Sequence, residues 1–156
     1  MFDWIATALS SRLERRANEA EITPARRFQR EMNRVAEECD GLVLKMMVDG
    51  DDGIFVTYLQ VSPLIRRSGI ATKMLSKLVE QADKLNVRMV LNATPMDDNN
   101  CPSHKELVDF YERYGFIENW DYESPCTAMF EAKRDGSWTR MVRPANSPAN
   151  ILSPGL

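Results

Sequence analysis

The segment Leu59-Gln60-Val61-Ser62-Pro63-Leu64-Ile65-Arg66-Arg67-Ser68-Gly69-Ile70-Ala71 holds the residue types in this chain best suited to chemistry. An apolar run ends at a proline turn, and a basic loop of small residues then opens into a stretch of helical periodicity. The first turn of a helix has N–H groups without partners and carries about half a positive charge. Arg66 and Arg67 add charge, Gly69 lets backbone approach a ligand, and Ala71 leaves the approach open. Together they predict an anion cradle that fits a pyrophosphate. It is not a Walker loop, because no Gly-Lys-Ser/Thr is present, nor a dinucleotide fingerprint, which needs three glycines.

Other chemistries are closed by the residue inventory. The chain has one histidine, His104, too few for a His-rich zinc site. A serine-hydrolase triad would need that same histidine, and no Gly-x-Ser-x-Gly surrounds any serine. Cys39, Cys101 and Cys126 are odd in number and scattered, with no Cys-x-x-Cys. They read as free thiols in a reducing cytoplasm, and no metal is expected.

The elements that must position the cradle follow from periodicity and punctuation. Phe2 to about Glu21 has Ile5, Ala6, Leu9 and Leu13 at helical spacing, with Asp3 as N-cap. This helix either docks on the domain or meets a partner or a membrane surface through Phe2, Trp4 and the run Arg12, Arg15 and Arg16. Glu14, Glu19 and Glu21 dilute that charge and favour docking. Thr23-Pro24 opens a second helix with Ala25, Phe28, Met32, Val35 and Ala36 on one face, and Gly41 reads as its C′ residue. Leu42 to Val48 and Ile54 to Val61 flank Asp49-Gly50-Asp51-Asp52-Gly53 as an antiparallel hairpin. After the Ser62-Pro63 turn, Gly69 to Leu85 is helical through Ala71, Met74, Leu75, Leu78, Ala82 and Leu85. Arg88 to Ala93 is a strand, and a polar loop with Asp97 and Asp98 follows. Ser103 and Glu106 form a capping box that opens a helix closed by Gly115. Phe116 to Glu118 and Thr127 to Ala132 read as final strands. The order predicts an α/β fold: a mixed, mostly antiparallel sheet with one βαβ crossover and helices on both faces.

Composition sets the outer limits. The 156 residues are 44% hydrophobic and 28% charged, with 20 Lys+Arg against 23 Asp+Glu. That length and apolar share suit a single folded domain, expected over residues 1–134 with its N-terminal helix in 1–22. Residues 135–156, rich in Pro, Ser and Asn, read as a tail whose first part Trp138, Met141 and Val142 could pin. The net charge of −3 argues against general nucleic-acid binding. No run is long and apolar enough for a membrane span, and no signal-peptide layout opens the chain.

With the cradle and these elements in order, the sequence resembles the GNAT superfamily of N-acetyltransferases. That family's R/Q-x-x-G-x-G/A loop follows a strand and a V-x-P turn. Arg66 to Ala71 matches the loop, and Val61-Ser62-Pro63 stands before it. Leu107-Val108-Asp109-Phe110-Tyr111-Glu112-Arg113-Tyr114-Gly115-Phe116 looks like the family's late F-Y-x-x-x-G-F segment. The resemblance covers roughly residues 42–132. It implies acetyl-CoA as co-substrate and direct transfer of acetyl to a primary amine, on a protein or a small molecule, in a ternary complex. The implied coenzyme site is Gln60, Val61, Arg66, Arg67, Ser68, Gly69, Ile70, Ala71 and Thr72, with the pantetheine in a splay between two strands. Tyr111 matches the tyrosine that often protonates the leaving thiolate; a structural role for its hydroxyl is the alternative. Many relatives carry a glutamate four residues before the V-x-P valine, where this chain has Thr57. His104 replaces a frequent asparagine seven residues before the tyrosine; it is a candidate base, or simply a surface residue at a helix start. Asp97 and Asp98 are further candidates. These departures leave a second implied function, a catalytically weak acyl-CoA-binding module that grips a partner protein. Edge strands near the C-terminus could pair in a homodimer.

Overall fold

The computed structural model describes residues 3–96, 101–129 and 138–145. Helix α1 spans Asp3–Glu21 and α2 spans Pro24–Glu37. Thr23 caps α2, its Oγ1 accepting from the Arg26 N–H at 3.3 Å, and Pro24 occupies the first turn, where a missing N–H costs nothing. Ala25, Phe28, Met32 and Ala36 are buried along one stripe. The helix ends at Glu38 instead of running on to Gly41. Gly41 lies beyond it at φ +80, and a Cβ there would sit 2.5 Å from Ile65 Cδ1. Its carbonyl accepts the Ser62 N–H at 2.7 Å, so the start of β1 is held against the proline turn.

Strands β1 (Leu42–Val48) and β2 (Gly53–Val61) form the expected hairpin, closed by Asp49 N–H to Gly53 O at 2.8 Å. Helix α3 (Ile70–Leu85) then carries the chain to β3 (Arg88–Ala93), parallel to β2. Helix α4 (His104–Glu112) leads to the short strand β4 (Ile117–Glu118), and α5 (Pro125–Met129) precedes β5 (Thr139–Arg143). The sheet order is β1-β2-β3-β5-β4, antiparallel except for β2 and β3. This is the mixed sheet with one βαβ crossover expected from the sequence. Helices α2, α3 and α4 pack on one face over Ile54, Met89 and Met141. On the other face Cys126 of α5 meets Phe55, Val90 and Val142.

Three expectations are corrected. Thr127 to Ala132 is not a strand: Pro125–Met129 is a helix, and residues 130–132 lie outside the described ones. Ser124 N–H donates to Thr127 Oγ1 at 2.7 Å and Thr127 N–H to Ser124 Oγ at 3.1 Å. This reciprocal cap overrides the β propensity of Thr127. Residues 139–143, expected within a tail, form β5 inside the sheet, and every one of them is buried. The third correction concerns α1, which does not dock through Ile5, Leu9 and Leu13. Those side chains and Trp4 are exposed, because α2, α3 and α4 already close the face of the sheet.

Two arginines disguised β5. Arg143 is fully buried, its guanidinium bidentate to Asp83 of α3 at 2.8 and 3.1 Å and its Nε donating to Tyr114 O at 2.7 Å. One side chain thus ties β5 to α3 and to the end of α4. A buried pair that loses one partner leaves an uncompensated charge, at a cost of several kcal/mol. Asp83→Ala is expected to lower stability by about 3 kcal/mol in urea unfolding. Asp83→Ala with Arg143→Met should recover much of that loss. An Asp83→Ala protein as stable as the parent would contradict the tie.

Candidate active site

The sheet opens where β2 changes its phase. Lys45 pairs with Tyr58 but Met46 pairs with Val56, so Thr57 is an extra residue, a bulge, and its hydroxyl donates to Lys45 O at 3.1 Å. Up to Val56 the strand also pairs with β3, through Gly53–Val56 against Arg88–Leu91, and that ladder then stops. Residues Tyr58 to Val61 stay paired with β1 while their other edge turns away from β3. Backbone groups along such an edge seek a partner. A cavity of about 1080 Å³ fills the gap, lined by Thr57 to Val61, Leu91 and Asn92, the start of α3, and Tyr111.

The cradle lies at one end of this cavity. Pro63–Ile65 is a single 3₁₀ turn, and Arg66 folds back so that its Nε donates to Val61 O at 2.9 Å and an Nη reaches Met96 Sδ at 3.8 Å. Arg67 at φ +63 and Gly69 at φ +85 turn the loop into α3. Gly69 is the N-cap, and its carbonyl accepts the Lys73 N–H, which leaves the N–H groups of the preceding turn for another acceptor. Gln60, Val61, Arg66, Arg67, Gly69, Ile70, Ala71 and Thr72 all line the cavity. Ser68 does not line it; its hydroxyl donates to Ile65 O and shapes the loop.

Tyr111 is buried on α4, edge-to-face with Phe110 at 5.4 Å and Phe116 at 5.6 Å. Burial pushes its pKa up to about 12, so the hydroxyl keeps its proton at neutral pH. That hydroxyl has no hydrogen-bond partner among the described residues, and the side chain lines the cavity. His104 is brought elsewhere: it opens α4 behind the cap Ser103, its Nε2 2.8 Å from Thr139 Oγ1, and is not on the cavity wall. Asp97 and Asp98 lie outside the described residues. Sequence reasoning passed over Cys101, Glu106 and Asp109, which line the cavity; Cys101 Sγ accepts the Met96 N–H at 3.0 Å. Nothing in their spacing marked them, since α4 and the loop before it reach the cavity only through the fold. Among the described residues no group of three or more His, Cys, Asp or Glu could hold a metal ion.

Residues 29–118, more than half of the chain, match the family profile described as "Acetyltransferase (GNAT) domain". The chain belongs to the GNAT acetyltransferases. Solved structures similar to it include the anti-CRISPR protein AcrVA5, at 20% identity over 65% of this chain and 90% of that one, with a TM-score of 0.45. A GNAT-family acetyltransferase from Staphylococcus aureus Mu50 is 16% identical over 67% of this chain and 59% of its own, with a TM-score of 0.45. Arabidopsis thaliana Naa50, solved with the bisubstrate analogue CoA-Ac-MVNAL, is 15% identical over 65% of this chain and 61% of its own, with a TM-score of 0.42. Comparison with curated proteins gave no match. GNAT domains use acetyl-CoA, and here the bulge, the opened ladder and the α3 N-terminus meet on one cavity.

The raised Tyr111 pKa has a measurable sign. Its folded value lies above the unfolded value of about 10, so as pH rises the unfolded chain releases the proton first and stability falls. The stability difference between the parent and Tyr111→Phe is expected to hold up to about pH 9. It should then shift against the parent by about 2–3 kcal/mol by pH 12, measured by denaturant unfolding. A constant difference would mean that the hydroxyl is solvated.

Proposed function

We propose that this GNAT protein is an acetyl-CoA-dependent N-acetyltransferase that moves the acetyl group directly to a primary amine in a ternary complex. One arrangement supports the reading: the unpaired edge of β2, the helix N-terminus after it and the buried Tyr111 hydroxyl share a single cavity. Backbone N–H groups from Arg67 to Thr72, with Arg66 and Arg67, hold the diphosphate. On the edge of β2 away from β1, the Leu59 main chain and the Val61 N–H pair with the pantetheine amides as a neighbouring strand would. A backbone N–H there polarises the thioester carbonyl and stabilises the oxyanion formed when the amine nitrogen bonds to its carbon. As the C–S bond breaks, Tyr111 hydrogen-bonds the departing thiolate and supplies its proton. Thr57 stands where many relatives carry glutamate, and its hydroxyl proton is engaged on Lys45 O, so it offers the amine an acceptor and no base. His104, held on Thr139, takes no part in this scheme. The three free thiols suit a cytoplasmic setting.

A second reading has its own support. Trp4, Ile5, Leu9 and Leu13 are exposed on α1, and Thr57 lacks the carboxylate, which together fit an acyl-CoA-binding module that grips a partner protein. An assay of acetyl transfer to a panel of amines separates the two.

Gly69 gives a clean test of the coenzyme site, because nothing lies within 4 Å of a Cβ built there. At φ +85 any side chain is strained by about 1–2 kcal/mol, so Gly69→Gln serves as the control for Gly69→Glu. Calorimetry is expected to show Gly69→Glu weakening acetyl-CoA binding by about 100-fold and Gly69→Gln by under about tenfold, both folded by circular dichroism. Equal binding by the two variants would move the diphosphate elsewhere. Tyr111→Phe should lower kcat by about 100-fold with acetyl-CoA affinity nearly kept. An unchanged kcat would remove Tyr111 from the chemistry.

A further inference from the structure

The cavity is lined from both faces of the sheet, by Leu59, Val61 and Leu91 on the α3 side and by Tyr58, Gln60 and Asn92 at its mouth on the other. The β1–β2 register sets Lys45 beside Tyr58 and Val43 beside Gln60 there, and across the gap Asn92 of β3 pairs with Arg140 of β5. Tyr58, Gln60 and Asn92 line the cavity. The hydrogen bonds at this mouth leave a one-sided set of nitrogen groups. Tyr58 O–H donates to Gln60 Oε1, and Arg140 Nε donates to Asn92 Oδ1 at 3.3 Å. Both amides therefore have their oxygens engaged and their NH₂ groups without a partner among the described residues. Lys45 rests its Nζ 5.8 Å from the Tyr58 ring centroid and pairs with no carboxylate among the described residues. An ammonium and two amide NH₂ groups thus remain as donors, while Thr57 Oγ1 and the Tyr58 oxygen can accept from an amine.

No aspartate or glutamate occupies the strand positions that form this mouth, which are Val43, Lys45, Tyr58, Gln60, Asn92 and Arg140. Among the described residues the cavity's carboxylates, Glu106 and Asp109, are on α4 on the α3 side, so a polyamine would bring further positive charge beside Lys45 with no carboxylate at these strand positions to meet it. Acceptor-only oxygens fit the donors that remain. Strands lie about 4.8 Å apart, so Lys45 stands one strand back from the gap. We propose that the acceptor is a small primary amine carrying a carboxylate or phosphate a few bonds from its nitrogen, and that Lys45 with the Gln60 and Asn92 amides binds this anionic group. The inference rests on the acetyl-transfer reading for the amine's role, but anion binding at this mouth can be measured without turnover.

The test titrates β-alanine, O-phosphoethanolamine, ethanolamine and spermidine into the full chain saturated with coenzyme A, and assays acetyl transfer to the same four compounds. At least one anionic amine should bind about tenfold tighter than ethanolamine or spermidine, and whichever of the two binds better identifies carboxylate or phosphate. Lys45→Glu should abolish the preference and Lys45→Arg keep it, with acetyl-CoA affinity equal in all three proteins. Ethanolamine or spermidine binding as well as the anionic amines, no binding by any of the four, or a preference that survives in Lys45→Glu would each overturn the proposal. Preferential binding without acetyl transfer would uphold the anion site and contradict the transferase reading. Transfer to spermidine alone would do the reverse.

Discussion

Strand β2 keeps its partner on one side along its whole length and loses it on the other after Val56. A β-strand edge cannot stay dry and unpaired inside a protein, so main-chain groups released in this way must face water or a ligand. The Thr57 bulge makes the release abrupt, because one extra residue bends the strand and increases its twist away from β3. From that single departure come the gap in the sheet, the unpaired edge along Tyr58 to Val61, and the position of the helix that follows. Only a proline turn and a short loop separate the end of β2 from α3, which sets the helix N-terminus at the end of the opened edge.

The rest of the molecule braces an opening that would otherwise weaken the sheet. Beyond the gap, β5 repairs the far side of β3 along Met89 to Ala93. Arg143 carries that brace to both helices beside the cavity, through Asp83 on α3 and the Tyr114 carbonyl after α4. At the near side, the Gly41 carbonyl on Ser62 holds the turn that aims the cradle. Tyr111 is fixed between Phe110 and Phe116, so its hydroxyl is presented by packing and not by a polar tether. Rigidity around a group that has no hydrogen-bond partner among the described residues is what a site prepared for a ligand requires.

What the sequence made legible was local. Thr23-Pro24, the Asp-Gly turn and the Ser103 cap are punctuation whose physics acts within a few residues, and each acts as read. The cradle loop was visible for the same reason. The bulge also left a trace: Ile54 and Val56 face one core, and so do Leu59 and Val61, with a three-residue step between the pairs where strict alternation allows two. Long-range partners were not legible. Thr-Arg-Met-Val-Arg does not look like an inner strand until Asp83, sixty residues away, is known to neutralise Arg143. Ser124-Pro125 was a cap hidden by the strand-like residues after it. His104 was another such case: its type admitted acid–base chemistry or a plain place at a helix start, and only the fold shows its ring against Thr139.

Hydrogen exchange of the full chain with and without coenzyme A tests the central claim most directly, because it reports which backbone N–H groups gain a partner. Coenzyme A is expected to slow exchange at Leu59 and Val61 and from Arg67 to Thr72, while the paired strand β1 changes little. Slowed exchange confined to other segments, or none at a saturating concentration, would contradict that claim.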